Sequence, residues 1–95
     1  MPAYLIADIE VVDAEGFGEY RRQIPAVLAA HGGRYLARGG ATEVLEGAWT
    51  PLRAVIVEFP SMAALKAFYE APEYRALRDL RQNTTRSNLV AVEGV

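Results

Sequence analysis

The chain has no cysteine and only one histidine, His31. Without thiols, disulfides and thiolate metal sites are excluded, and a lone imidazole among scattered carboxylates is a poor start for any metal centre. Missing cysteine also fits a reducing compartment, and the cytoplasm is the expected location. Charge of one sign is nowhere concentrated. Ten Lys and Arg against twelve Asp and Glu leave a net charge of −2, and single arginines are spread from Arg21 to Arg86 with acids nearby. Phosphate backbones need a gathered positive face, so no nucleic-acid partner is expected. Apolar runs are only a few residues long, far short of the roughly 20 that cross a bilayer, so no membrane partner is expected either. Met1 to Glu10 carries no basic segment and already contains Asp8 and Glu10, which does not read as a signal peptide.

What remains is an ordinary globular composition. Ninety-five residues, 52% hydrophobic and 23% charged, make one domain over residues 1–95. A chain of this size buries only about 60–70% of its unfolded surface, so self-association would add useful burial.

The densest β-branched and aromatic run is Arg53-Ala54-Val55-Ile56-Val57-Glu58-Phe59, stopped by Pro60. Side chains alternate across a strand, so Arg53, Val55, Val57 and Phe59 face one way and Ala54, Ile56 and Glu58 the other. Ala3 to Val12 repeats the pattern. Leu5, Ala7, Ile9 and Val11 form one face, and Tyr4, Ile6, Asp8 and Glu10 the other. Asp13 is placed to cap a helix, with Glu15 in its first turn. Phe17, Tyr20, Ile24, Val27, Leu28 and His31 recur at helical steps, so the helix extends to about His31, bent at Pro25 and ended by Gly32-Gly33. Arg34 to Arg38 reads as a short strand, Gly39-Gly40 as a bend or bulge, and Thr42 to Leu45 as a short extension of that strand. A second helix starts after Ser61, breaks at Ala71-Pro72 and continues to about Arg81. Gln82 to Ser87 reads as a polar loop, and Asn88 to Glu93 as the last strand.

The order β-α-β-β-α-β predicts an α+β, ferredoxin-like fold: a four-stranded antiparallel sheet with both helices on one face. The open face would then show Tyr4, Ile6, Asp8, Ala54, Ile56 and Glu58. That surface is too apolar to be left in water, which points to a homodimer.

Several pieces of the chain resemble the domain-of-unknown-function 1330 family of the dimeric α+β barrel superfamily. They are Tyr4-Leu5-Ile6-Ala7-Asp8, Phe17-x-x-Tyr20, Gly32-Gly33-Arg34-Tyr35-Leu36-Ala37-Arg38-Gly39-Gly40, Leu45-Glu46-Gly47-x-Trp49, Phe68-Tyr69-x-x-Pro72-Glu73-Tyr74 and Arg86-Ser87-Asn88-Leu89. The resemblance implies a homodimer with facing sheets and no established activity. The wider superfamily includes cofactor-independent monooxygenases and small-ring isomerases.

Two functional readings follow. One is a non-catalytic homodimer that binds a small organic molecule, such as an acid, without catalytic metal, or that only supports another protein. The other is an enzyme acting on a small molecule without metal or bound cofactor. In both, the candidate ligand-binding residues are Tyr20, Arg38, Trp49, Glu58 and Tyr69. Arg38 would clamp an acid or pair with Asp8 or Glu58. Tyr20 and Tyr69 lie on inner helix stripes with hydroxyls that need partners, and Trp49 sits in a loop that could cover a cavity mouth. Ser87 lacks a Gly-x-Ser-x-Gly setting, and Arg38-Gly39-Gly40 lacks the Gly-Lys-Ser/Thr of a phosphate loop.

Overall fold

Alternation decides the centre of the molecule. In the computed structural model, which describes residues 1–95, β1 (Ala3–Val11) and β3 (Ala54–Phe59) pair antiparallel in the middle of a four-stranded sheet. Ala3 faces Phe59, Leu5 faces Val57 and Ala7 faces Val55 on one side; Tyr4 faces Glu58, Ile6 faces Ile56 and Asp8 faces Ala54 on the other. β2 (Arg34–Arg38) flanks β3 and β4 (Thr85–Glu93) flanks β1, giving the order β2-β3-β1-β4. Helices α1 (Ala14–Ala30), α2 (Met62–Glu70) and α3 (Pro72–Thr84) cover the first side, where the buried core lies. This is the expected ferredoxin-like α+β fold with its second helix divided in two.

Local chemistry sets the element ends. Asp13 accepts a hydrogen bond from the Gly16 amide at 3.2 Å, and Ser61 Oγ accepts one from the Ala64 amide at 3.0 Å. At the end of α1, Gly32 takes a φ of +79°, and the Gly33 amide reaches back to the Leu28 carbonyl at 2.8 Å. A side chain would strain that left-handed turn. Ala71 is extended because the following proline disfavours a helical conformation, and this splits α2 from α3. Phe68 ties the two to the sheet, with ring centroids 4.4 Å from Tyr74 and 5.4 Å from Phe59.

Three expectations need correction. Gln82 to Ser87 is not a loop: α3 runs to Thr84 and β4 starts at Thr85, so β4 pairs with β1 as far as Val11. Thr84 Oγ1 donates to the Leu80 carbonyl at 2.8 Å and Thr85 Oγ1 to the Arg81 carbonyl at 2.6 Å, which binds these hydroxyls to the helix end. Thr42 to Leu45 forms no strand and is exposed. The bulge in β2 lies between Tyr35 and Ala37 rather than at Gly39-Gly40. Gly39 instead adopts a φ of +70° and donates to the Ala54 carbonyl at 2.8 Å.

Pro25 lies inside α1, which continues through it. A proline has no N–H for the carbonyl four residues earlier, which here is Arg21. Arg38 supplies the missing donor, its Nη2 lying 3.1 Å from the Arg21 oxygen. The bond is exposed, so its loss should cost only about 0.5–1 kcal/mol. Arg38→Met should therefore destabilise the wild type by about that much, and by less in a Pro25→Ala background, where residue 25 regains its own N–H. A double-mutant cycle by urea denaturation measures the coupling; a value of zero would mean that the carbonyl does not depend on Arg38.

Candidate functional site

The inner stripe of α3 consists of Tyr74, Leu77, Arg81 and Thr84, all buried at three- and four-residue steps. One of these residues is a cation. Arg81 is 4% exposed, and its Nε has no hydrogen-bond partner. The ion pairs of the chain are Arg22–Glu19, His31–Glu73, Arg34–Glu58 and Arg86–Glu10, none of which includes it. A buried charge normally needs a partner, because desolvation is otherwise uncompensated.

Arg81 borders two spaces. The first is an internal cavity of about 40 Å³ between helices and sheet, where Tyr20, Tyr35 and Tyr74 converge among aliphatic side chains. It has room for about one water molecule and no organic ligand. The second is an open polar cleft of about 360 Å³ lined by Tyr69, Arg81, Gln82, Thr85, Ser87 and Leu89. Thr85 Oγ1 lies 2.6 Å from Ser87 Oγ, so the hydroxyls at the start of β4 are fastened beside the last turn of α3. Tyr69 and Leu89 also wall an adjoining, mostly apolar groove of about 340 Å³ with Leu5, Leu65, Val90 and Ala91, and with the two charged residues Lys66 and Glu70.

Burial, then the neighbouring Tyr74 hydroxyl, push the Tyr20 pKa far above the usual phenol range, so Tyr20 is a permanent donor rather than a base. Burial likewise raises Tyr35, against the opposing pull of Arg38, Arg21 and Arg53.

The five residues singled out from sequence do not converge. Tyr20 lies in the core and Tyr69 at the junction of the cleft and the groove. Arg38 is exposed and stacks over the Tyr35 ring, 4.6 Å from its centroid. Glu58 and Trp49 belong to the opposite, helix-free side, so the pairing of Arg38 with Glu58 or Asp8 must be corrected. Glu58 is bonded to Arg34 at 2.8 Å. Without the register shift in β2, Arg38 would share a face with Arg34. The extra residue flips that parity and leaves Arg38 opposite Val55, on the helix side. Arg81 was missed because it was read as the end of a helix rather than as part of its stripe. The signal was available, since Arg81 follows Leu77 by four residues and Tyr74 by seven.

His31 carries no metal cluster. Its Nε2 lies 2.8 Å from Glu73, and no group of three or more His, Asp or Glu side chains is placed to hold an ion.

On the open face, Asp8 organises the long connection between β2 and β3. It accepts from Trp49 Nε1 at 3.1 Å, from the Leu52 amide at 2.9 Å and from the Arg53 amide at 3.2 Å. The Trp49 bond chiefly, with the two amides, holds the Asp8 pKa below its ordinary value against a desolvation that raises it. A depressed carboxyl stabilises the fold above its unfolded pKa, and that contribution is lost as pH falls through the folded value. The indole N–H resonance of Trp49, the only tryptophan, should therefore titrate with a midpoint below the roughly 3.9 of free aspartate, and not titrate in Asp8→Asn. A midpoint at or above that value would rule out the latch.

The sequence matches the family model described as Domain of unknown function (DUF1330) over residues 2–95, and the chain belongs to that family. No curated protein matches it. Among solved structures, a protein of unknown function from Rhodopseudomonas palustris is similar with a TM-score of 0.80 at 22% identity, over 99% of this chain and 82% of that one. SnoaB, a cofactor-independent oxygenase from Streptomyces nogalater, superposes with a TM-score of 0.69 at 10% identity, over 99% and 93%. A dimeric ferredoxin-like protein of unknown function from Jannaschia sp. gives 0.67 at 15% identity, over 99% and 100%. At these identities the likeness is one of fold.

Proposed function

We propose that this DUF1330 chain binds a small organic anion in the cleft between α3 and β4, with Arg81 as its clamp, and that it does so as a homodimer. One observation carries the binding reading: a buried guanidinium without a counter-charge beside a cleft lined by hydroxyl and amide groups. A carboxylate would supply the missing partner through charge-assisted hydrogen bonds.

Binding rather than turnover is favoured because the cleft holds no carboxylate or imidazole to act as base. Ser87 is engaged with Thr85, and the one histidine is engaged with Glu73. The enzyme reading, a cofactor-independent one, draws support only from the shared fold of SnoaB.

Arg81→Met separates a ligand-binding arginine from a structural one. Removing an unpaired buried cation should stabilise the free protein by about 1 kcal/mol or more. The same change should weaken binding of carboxylates such as octanoate by about 2 kcal/mol or more. Calorimetric titration and thermal melts read the two effects. Loss of stability with binding unchanged would overturn the clamp.

The homodimer reading rests on the open face. Only 17 of 95 residues are buried, while Val90 and Val92 stand 58% and 46% exposed opposite Ile6 and Tyr4. With Ile56 and Trp49 they make an apolar surface of the kind that marks an interface. The Jannaschia protein is itself described as dimeric. Sedimentation should give twice the 10.4 kDa chain mass, and Val90→Glu should reduce it to the monomer; a monomer at high concentration in the wild type would dispose of the reading.

A further inference from the structure

We infer that the anion bound at Arg81 is the head of an amphipathic monocarboxylate, a medium-chain alkanoate or arylalkanoate, whose apolar tail lies in the groove beyond Tyr69. This inference rests on the Arg81 reading and extends it to the class of ligand.

The basis is a change of chemistry along one face of one strand. β4 turns Thr85, Ser87, Leu89 and Ala91 toward the helices, opposite Val11, Ile9, Ala7 and Leu5 of β1. The first two are hydroxylated and lie at the α3 end beside Arg81; the second two are apolar and lie along α2. The polar cleft and the mostly apolar groove share Tyr69 and Leu89 as walls, so they adjoin there, and a ligand spanning both would meet a change of character at those residues. From Ser87 to Ala91 is four residues, or about 13 Å of strand. A carboxylate with a short, flexible tail fits that span; a compact inorganic anion would leave the groove empty, and a neutral lipid would leave Arg81 unpaired. Tyr69 is held at the junction by Arg78, whose guanidinium stacks 5.3 Å from its ring centroid and donates to its carbonyl.

The test is a chain-length series of butanoate, hexanoate, octanoate and decanoate, with octanol as the uncharged control, titrated into the full-length protein by calorimetry or ligand-observed NMR. If the tail enters the groove, affinity should rise about three- to fourfold for each added methylene. Octanol should bind at least tenfold more weakly than octanoate. Ala91→Trp, at an exposed position of β4, fills the groove and should flatten the series. Carboxylates that bind with no dependence on length, or a series that Ala91→Trp leaves steep, would overturn the tail assignment and leave the Arg81 clamp standing. Octanol binding as tightly as octanoate, or no binding by any acid, would remove the clamp itself and the tail assignment with it.

Discussion

The pairing of β1 with β3 is the constraint on which the rest of the fold depends. Because side chains alternate along both strands and the register sets Leu5 against Val57 and Ile6 against Ile56, every residue of the sheet centre is committed to one face or the other. The helix side receives small and branched aliphatics and closes into a core around Phe59, Phe68 and Tyr74. The other side receives Tyr4, Ile6, Ile56 and the Glu58–Arg34 pair, and only the Trp49 segment fastened to Asp8 lies over it. A one-residue slip would turn the side chains of one strand over and place Asp8 or Glu58 in the core, where its desolvation would be prohibitive.

This much was legible in the sequence, because alternation and helical spacing are strong periodic signals. The boundaries at Asp13, Gly32 and Ser61 were legible for the same kind of reason, since each has a local donor or conformational demand. The misreadings share a different cause. The run from Gln82 to Ser87 is polar, and composition alone suggested a loop. Its polarity belongs partly to the last turn of α3 and partly to the cleft-facing side of β4, where hydroxyl groups are wanted. The facing of Arg38 depended on a bulge that no residue type announced. Leu36 and Ala37 carry no bulge signature, and the glycines nearby drew attention one turn too late.

Arg38 and Arg81 show how two arginines in one small domain can differ in kind. Arg38 is exposed and engaged: it supplies the N–H that Pro25 cannot give the Arg21 carbonyl, and it stacks on Tyr35. Arg81 is buried and unengaged, which inverts the usual relation between burial and pairing. A domain of this size has little stability to spare, so a buried cation left without a partner is a standing cost. Functional sites are where such costs are commonly found.

The two proposed surfaces lie on opposite sides of the same strand. Thr85, Ser87, Leu89 and Ala91 of β4 face the cleft and the groove, while Arg86, Asn88, Val90 and Val92 between them face the open side of the sheet. Period-two geometry therefore turns most of the proposed ligand contacts and subunit contacts to opposite faces, although Val90, on the edge strand, also borders the groove. A substitution on one face leaves most of the chemistry of the other in place. The shared backbone is a different matter: any shift of β4 that accommodates a ligand moves Val90 and Val92 as well. A second copy packed on those valines would resist that shift. The edge strand at the cleft would then be stiffer in the assembled protein than in the isolated chain, and the cleft correspondingly better preorganised to receive a ligand.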